Sequence, residues 1–308
     1  MIKKAAIIFL IFTALLGGAD RAVSSILDDK IDSLFVIASA GELRYRDMVE
    51  PAIDSIAAMG AAAVPWLIDK YDTKSARERL TINNILVKIG ADAVPHMVQA
   101  LHLGDTLQVS RICYSLGEIK DTAALAGLLD VTAHADWRVR SAAAGALGKI
   151  GDNRADKTIV RLLADSVETV RKSAAVTAGQ LAIEEAVPVM VHMLGDDFYG
   201  ARLCASESLV KLGHRSIQAI ADSLESDRAM VGDLGCLTLG RIGGDFAAAI
   251  ITTQLLSDSS TRRVMAVEGI NLSNSWLACG AIEILKETEQ DETVLFFIDK
   301  ALEKYASQ

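Results

Sequence analysis

The stretch WRVRSAAAGALGKIGD, residues 137–152, decides the fold that the sequence predicts. Apolar residues recur within it at steps of three and four from Val139 to Ile150, which is the spacing of one helix face. Asp136 precedes the stretch as a candidate N-cap, because its carboxylate can accept a free backbone N–H. Gly151 follows as a helix stop, since glycine readily takes the left-handed conformation common at helix C-termini. We therefore predict one amphipathic helix between Asp136 and Gly151.

The same signal, an aliphatic residue followed by a helix stop, returns at a nearly constant interval along the chain. Three copies of Ala-Val-Pro follow such stops and predict the start of a second helix, because proline is favoured in a first helical turn. A regular period of this length indicates tandem repeats, here of two helices each. The eight signals lie 30 or 31 residues apart, at Met59-Gly60, Ile89-Gly90, Ile119-Lys120, Ile150-Gly151, Leu181-Ala182, Leu212-Gly213, Ile242-Gly243 and Leu272-Ser273.

Both ends of the repeat array read as single amphipathic helices, at residues 24–39 and 292–306. Terminal repeats would otherwise expose core, so these helices are interpreted as caps. For the first of them, Ser24 or Ser25 is the expected N-cap, and the expected apolar side is formed by Ile26, Ile31, Leu34, Phe35 and Ile37. The predicted organisation is a signal peptide at 1–19, a capping helix at 20–43, repeats at 44–291 and a capping helix at 292–308.

The N-terminus has the pattern of an export signal. Lys3 and Lys4 precede the run Ala5–Leu16, which is apolar except for Thr13, and small residues follow up to Ala19. Twelve residues are short of the roughly 20 that a membrane span needs, so we expect no stable span after cleavage. Cleavage after Ala19 removes two lysines and takes the formal net charge from −9 to −11. We predict a periplasmic or extracellular protein; an uncleaved signal that tethers the chain to the membrane is the alternative.

The repeat resembles a known family. The pattern Val-Arg…Ala…Ala-Leu-Gly-x-Ile-Gly-Asp at 139–152 is similar to the HEAT-like repeats named after phycobilisome lyases, and Val170-Arg171 with Ala174 and Ala175 is a second copy. The resemblance covers roughly residues 44–290. It implies an all-α fold, a right-handed α-α superhelix (a HEAT-like solenoid) of about eight two-helix repeats with terminal capping helices. It implies little about activity, because this repeat serves many unrelated proteins.

An arginine recurs ten residues before many of the stops. This series can be interpreted as an anion-binding ladder or as ion pairs with aspartates of adjacent repeats, and we favour the ion pairs. Val49, Val109 and Gly232 interrupt it. Its members are Arg79, Arg140, Arg171, Arg202 and Arg262.

Patterns of catalytic and metal-binding residues are missing from the sequence. Deoxyhypusine hydroxylase has a similar architecture and holds di-iron through His-Glu pairs, but no histidine here precedes a glutamate. There is no Gly-x-Ser-x-Gly elbow and no CxxC pair. No cofactor, metal or catalytic residue is therefore predicted. The acidic charge without a basic stripe argues against nucleic acid. Disulfides are not expected, because the four cysteines fall inside predicted helices as small buried residues: Cys113, Cys204, Cys236 and Cys279.

The remaining candidate sites are exposed positions on second helices. Trp66 follows a Val-Pro start signal and is either a partner anchor or a residue that packs across a neighbouring repeat. The predicted partner-binding residues are Trp66, Asp69, His96, Gln99 and His192. The predicted function is an exported, non-enzymatic scaffold that binds another protein. The alternative is an enzyme-accessory or lyase-like protein related to phycobilin lyases.

Overall fold

The computed structural model describes residues 26–306, except for the side chains of Leu277 and Ala306. Helices dominate these residues and no strand occurs among them, which confirms the all-α prediction. The chain divides into two compact units, Met1–Leu128 and Leu129–Gln308, called unit 1 and unit 2 below. The predicted signal peptide and the predicted cap Ser24 or Ser25 lie outside the described residues.

Unit 1 is built from pairs of helices, a longer first helix and a shorter second helix, joined by short 3-10 turns. The division between the units falls within its last helix. In chain order the helices span 26–38, Leu43–Met48 (3-10), Val49–Ala57, Gly60–Ala63 (3-10), Val64–Asp69, Lys70–Asp72 (3-10), Ala76–Ile89, Gly90–Ala93 (3-10), Val94–Ala100, Thr106–Ile119, Thr122–Ala124 (3-10) and Leu125–Val131.

Unit 2 continues the same alternation and ends in a single long helix. In chain order the helices span Trp137–Ile150, Asn153–Ala155 (3-10), Asp156–Leu162, Glu168–Leu181, Glu184–Ala186 (3-10), Val187–His192, Met193–Gly195 (3-10), Tyr199–Leu212, His214–Ser223, Ala229–Ile242, Asp245–Thr252, Thr253–Leu256 (3-10), Ser260–Ser273, Trp276–Ala278 (3-10), Cys279–Thr288 and Glu292–Ala306.

The predicted helix stops are backbone positions with positive φ, the region that most side chains avoid. Lys120 and Ala182 adopt it at φ 60° and 54° although they are not glycines, so the stop is imposed by the fold as well as by residue type. The last stop was predicted one residue too early: Ser273 ends the helix and Asn274 carries the positive φ. The positions recur at 30 or 31 residues, at Gly60, Gly90, Lys120, Gly151, Ala182, Gly213, Gly243 and Asn274.

The helix starts also follow the predicted signals. The Asp136 carboxylate accepts the N–H of Arg138 and caps the helix that begins at Trp137. The three Ala-Val-Pro prolines lie in the first turn of second helices. The predicted apolar face of helix Trp137–Ile150 is buried from Val139 to Leu147, and Ile150 at its end is half-buried.

Neighbouring first helices of unit 2 are also joined through buried hydroxyl groups. The Thr177 hydroxyl donates to the carbonyl of Ala144 at 3.0 Å. One repeat later, the Ser208 hydroxyl donates to the carbonyl of Ala175 at 2.7 Å. These bonds satisfy side chains that would be costly to bury unpaired, and they fix the distance between adjacent repeats.

The helix at 26–38 buries part of its predicted apolar side, with one correction. Ile31 and Phe35 are buried, whereas Ile26 is 69% exposed, so its assignment to the apolar side was wrong. Five residues separate Ile26 from Ile31, and at about 100° per residue this turns Ile26 well away from the buried face. At the other end, helix Glu292–Ala306 buries Val294 and Ile298.

No single helix within residues 26–306 is long and apolar enough to cross a membrane. The bent pair Leu43–Ala57 and Gly60–Asp72, with 107° between its members, meets that length and composition when taken together.

The four cysteines occupy helices as predicted. Cys113, Cys204 and Cys236 are buried and Cys279 is half-buried, and all four are free thiols. Burial raises the pKa of the Cys113 and Cys236 thiols to about 12. These two side chains therefore behave as small apolar residues.

Candidate binding surfaces

Three of the predicted partner-binding residues lie together in unit 1. Asp69, His96 and Gln99 line a cavity of about 290 Å³, with Pro65 and Leu103 also in its wall. They come from two consecutive second helices, so the repeat places equivalent positions side by side. We call this surface the second-helix cavity.

The second-helix cavity combines an apolar surface with polar groups. Leu103 is 77% exposed at its edge, and the Gln108 side chain closes one side by donating to the carbonyl of Ile68 at 2.8 Å. A carboxylate, an imidazole and an amide beside exposed apolar atoms can accept and donate hydrogen bonds to a peptide. The arrangement suits binding, because recognition sites typically combine apolar surface with a small number of polar groups in fixed positions.

Trp66 does not line the second-helix cavity. Its ring packs edge-on against Phe35 of the N-terminal helix, with centroids 5.2 Å apart, and the Lys70 ammonium lies 5.0 Å from its centroid. These contacts favour the packing alternative for Trp66, with the N-terminal helix in the place of a neighbouring repeat.

His192 belongs to unit 2, at the end of helix Val187–His192. Its Nε2 lies 3.0 Å from Nη1 of Arg228, and the same guanidinium also donates to the carbonyl of Gly195. His192 therefore contacts the loop residue Arg228 within unit 2.

The arginine series of unit 2 forms a repeated contact. Arg140 donates from Nη1 to the carbonyls of His134 and Ala135, both at 2.9 Å. Its Nε and Nη2 donate to the Asp165 carboxylate at 2.7 and 2.8 Å. We call this arrangement a rung: a first-helix arginine, the carbonyls six and five residues before it, and a carboxylate of the following loop.

Arg171 forms the next rung in the same way. Its Nη1 donates to the carbonyls of Asp165 and Ser166 at 2.9 and 3.3 Å, and its Nε and Nη2 donate to the Asp196 carboxylate at 2.7 and 2.8 Å. Asp165 thus serves two rungs, through its side chain in one and its carbonyl in the other. The rungs at Arg140 and Arg171 confirm the predicted ion pairs between repeats.

The last member of the series was misassigned. Arg263, and not Arg262, donates to the carbonyls of Ser257 and Asp258 and to the Glu289 carboxylate, at 2.6 and 2.9 Å for the two carboxylate contacts. The error follows from the stop that was predicted one residue early, since it shifted the expected arginine by one position. Arg79 in unit 1 makes the same two carbonyl contacts, with Thr73 and Lys74 at 3.4 and 2.8 Å. The members of the corrected series in unit 2, which are Arg140, Arg171, Arg202 and Arg263, are called the arginine ladder below.

Two positions of the ladder are incomplete. Arg202 donates to the carbonyls of Asp196 and Asp197 at 2.6 and 3.2 Å but makes no ion pair with any described residue. At the next position Gly232 replaces the arginine, and the Arg262 guanidinium occupies the space where a Cβ at 232 would lie. The interruption at Gly232 is visible in the sequence, but the side chain that fills the space is not.

A cavity of about 480 Å³ opens beside the interrupted position. Its walls are formed by residues 224–227 and Ala229, by 253–254 and 256–259, and by Arg262. We call it the Gly232 cavity. No pattern in the sequence predicted it, because it depends on which atoms are missing from a three-dimensional contact.

Hydrogen bonds in the rungs stabilise ionised carboxylates. Partial burial opposes ionisation of Asp196, but hydrogen bonds from Arg171 and from the N–H of Phe198 outweigh it, so the pKa of Asp196 lies below its usual value. The Arg263 guanidinium lowers the pKa of Glu289 to about 2. These groups stay charged at neutral pH and act as structural links.

Comparison with known families identifies the repeat. Residues 94–178 match the family model of HEAT repeats. This segment is made of HEAT repeats. The helix pairs and the 30- or 31-residue period of the stops extend this repeat on both sides of the matched segment.

Solved structures with similar folds include three HEAT-like or helical proteins. YibA of E. coli aligns with a TM-score of 0.50 at 13% identity, covering 86% of this chain and 98% of that one, and this likeness shows the fold alone. The CpcE–CpcF complex of phycocyanin lyase from Nostoc sp. PCC7120 aligns at 0.40 and 17% identity, covering 73% of this chain and 94% of that one. Human deoxyhypusine hydroxylase aligns at 0.34 and 17% identity, covering 92% and 99%.

No curated protein matches this sequence. Within residues 26–306, no group of three or more His, Cys, Asp or Glu side chains is placed to hold a metal ion.

Proposed function

We propose that this HEAT-repeat protein is an exported scaffold that binds another protein through its second helices. The observation that carries the proposal is the second-helix cavity, which collects Asp69, His96 and Gln99 from two consecutive repeats. Repeat proteins build binding surfaces by this side-by-side placement of equivalent positions.

Export is supported by the N-terminal sequence alone. Lys3, Lys4 and the apolar run Ala5–Leu16 have the order of a secretory signal, and Ala19 supplies the small residue before the proposed cleavage site. We propose the periplasm or the extracellular space as the location. Mass measurement of the purified native protein tests it: a chain that begins at Asp20 supports export with cleavage, and an intact Met1 in a cytoplasmic fraction contradicts it.

Site-specific photocrosslinking tests the binding surface. A photoreactive phenylalanine replaces Gln99, which is exposed beside the second-helix cavity. The matched control carries the same group at Leu80, a 60%-exposed residue on a first helix of the same unit. We expect crosslinks from position 99, and not from position 80, to one protein that is then identified by mass spectrometry.

The identified partner is then purified and titrated against the wild-type chain and the double variant His96→Ala/Gln99→Ala. A loss of affinity of tenfold or more in the variant is expected, because both side chains lie in the cavity wall. Equal crosslinking from positions 80 and 99, or unchanged affinity in the variant, would contradict the proposed surface.

A further inference from the structure

The rungs of unit 2 define what a ladder position needs. In three of them, at Arg140, Arg171 and Arg263, one guanidinium lies between two carbonyls of one loop and a carboxylate of the next. The loop backbone is therefore shaped to receive a guanidinium at each of these positions. At Gly232 the chain keeps the loops but supplies no arginine.

The two carbonyls that position 232 would use are those of Ser226 and Asp227, six and five residues before it. Ser226 and Asp227 both line the Gly232 cavity, and neither carbonyl accepts a hydrogen bond from a donor among residues 26–306. A carbonyl of a cavity-lining residue that has no protein donor can accept a hydrogen bond from a ligand.

The loop after position 232 shows a matching change. In the complete rungs, the carboxylate that meets the arginine also accepts the N–H two residues on, as Asp196 does from Phe198 at 2.9 Å. Ser257 has this role in the loop that follows Gly232, and its hydroxyl accepts the N–H of Ser259 at 3.3 Å. A hydroxyl thus replaces the carboxylate, and Asp258 places a carboxylate one residue further along the cavity wall.

Arg262 forms one wall of the cavity without filling it. Its guanidinium donates to Asp233 at 2.6 Å, to the carbonyl of Leu224 at 2.6 Å, to that of Ala229 at 3.0 Å and to Gln254 at 2.9 Å. Its charge is paired with Asp233, and its donors are directed at protein acceptors. It therefore leaves the Ser226 and Asp227 carbonyls open.

The charge of the cavity favours a cation. Glu225, Asp227 and Asp258 contribute three carboxylates to the lining, against the paired guanidinium of Arg262. Neither Asp227 nor Asp258 uses its carboxylate in a hydrogen bond or ion pair with a described residue, so both are available to a ligand. A cavity of about 480 Å³ is within the size of pockets that bind small groups, roughly 300–1,000 Å³.

We propose that the Gly232 cavity binds an arginine side chain of a partner protein, which takes the place of the missing ladder arginine between the Ser226 and Asp227 carbonyls and the Asp258 carboxylate. The inference rests on the proposed binding function, because the arginine belongs to the partner of the scaffold. It adds a second contact surface and the chemistry that this surface recognises.

The geometry selects arginine over lysine. A rung uses Nη1 for two carbonyls and Nε with Nη2 for a carboxylate, which requires the planar fork of a guanidinium. A lysine ammonium carries its three donors on one nitrogen and cannot reach both sides of the cavity at once. We therefore expect an arginine peptide to bind more tightly than a lysine peptide of equal charge.

The test uses the full chain and three short probes, acetyl-Gly-Arg-Gly-amide and the same peptide with lysine or with citrulline, the neutral isostere of arginine. Backbone amide chemical shifts are followed during titration. The expected result is saturable binding of the arginine peptide with shifts at 226–233 and 257–263, and binding at least tenfold weaker for lysine and citrulline.

Two variants locate the site. Gly232→Arg/Arg262→Val supplies an arginine of the chain itself for the Ser226 and Asp227 carbonyls, with valine before Arg263 as Val139 and Val170 precede their ladder arginines, and it is expected to abolish peptide binding. Asp227→Asn/Asp258→Asn removes two carboxylates and is expected to weaken binding at least fivefold. The second variant changes only exposed side chains, so it keeps the proposal testable if the first fails to fold.

Glu283→Gln/Glu287→Gln is the control, since it removes the same charge at exposed positions outside the cavity and should leave binding unchanged. Equal affinity for arginine and citrulline peptides would overturn the proposal, as would undiminished binding to Asp227→Asn/Asp258→Asn. A crosslinked partner that binds this variant and the wild type equally would also overturn it, while leaving the scaffold function in place. The two proposals can also fail separately. If the cavity binds the arginine peptide much more tightly than the citrulline peptide, but no partner is crosslinked from position 99, the result supports this site and counts against the proposed second-helix surface.

Discussion

Arg171 and Asp196 lie 25 residues apart and form a bidentate ion pair, in which Nε and Nη2 of Arg171 lie 2.7 and 2.8 Å from the two carboxylate oxygens. The side chains are only 19% and 9% exposed, so the pair is shielded from water more than a surface salt bridge is. Because Arg171 also donates to the Asp165 carbonyl, one side chain links the loops on both sides of its repeat.

Replacing Arg171 by methionine should therefore lower the free energy of unfolding by about 2 kcal/mol. The substitution leaves the shielded Asp196 carboxylate and two backbone carbonyls without their hydrogen-bond donor. Arg154→Met is the control. Arg154 pairs with Asp152 but is 64% exposed, so solvent screens the pair and its loss should cost far less than the loss of Arg171. Urea unfolding followed by circular dichroism measures both, and equal losses would contradict a structural role for the rung.

The rung at Glu289 predicts a pH dependence. The hydrogen bond from Arg263 lowers the pKa of Glu289 to about 2, below the value near 4.3 of an unfolded glutamate. A lowered pKa contributes stability above the unfolded value, and this contribution is lost as the pH falls from about 4.3 towards 2. Wild type should thus be more stable than Glu289→Gln at pH 7, and the difference should shrink towards pH 2. Thermal unfolding of both proteins across this range checks the prediction; a difference that is constant with pH would contradict it.

Two glycines of one repeat should respond oppositely to alanine. Gly145 lies inside helix Trp137–Ile150 and Gly151 ends it at φ 79°, and a Cβ would meet no atom within 4 Å at either position. Gly145→Ala should stabilise by up to about 1 kcal/mol through helix propensity, whereas Gly151→Ala should destabilise by about 1 kcal/mol through backbone strain. Thermal unfolding distinguishes the two, and changes of the same sign would contradict the assigned stop.

Thiol accessibility should separate the cysteines. Cys279 is half-buried, while Cys113, Cys204 and Cys236 are buried, so a water-soluble disulfide reagent should modify one thiol of the native protein first. The other three should react only as fast as the protein unfolds, and Cys279→Ser should remove the early phase. Rapid reaction of Cys113 or Cys236 in native buffer would contradict the packing described for these helices.

Much of the fold was predictable because its constraints are local. A left-handed helix end restricts residue type, and a first-turn proline needs no N–H, so both leave marks in the sequence. Lys120 and Ala182 were recognised as stops only through the period, since neither residue type demands positive φ. The period also explains the error at Arg262, because two adjacent arginines cannot be told apart when the stop is misplaced by one residue.

The candidate sites were less predictable, because they depend on contacts between repeats. The sequence placed Asp69 and Gln99 at equivalent positions of consecutive repeats, with His96 one turn before Gln99, and the structure joins the three in one cavity. It could not show that Phe35 packs on Trp66. Nor could it show that a glycine in one repeat makes room for an arginine of the next, since nothing in the local pattern of either repeat records the other.

The pairing of Gly232 with Arg262 makes two repeats depend on each other. The Arg262 guanidinium occupies the place of a Cβ at 232, so any side chain there would have to displace the far end of Arg262. That displacement would break the contacts of Arg262 with Asp233 and with the Leu224 and Ala229 carbonyls. The effects of substitutions at 232 and 262 should therefore not add, although the two residues belong to different repeats.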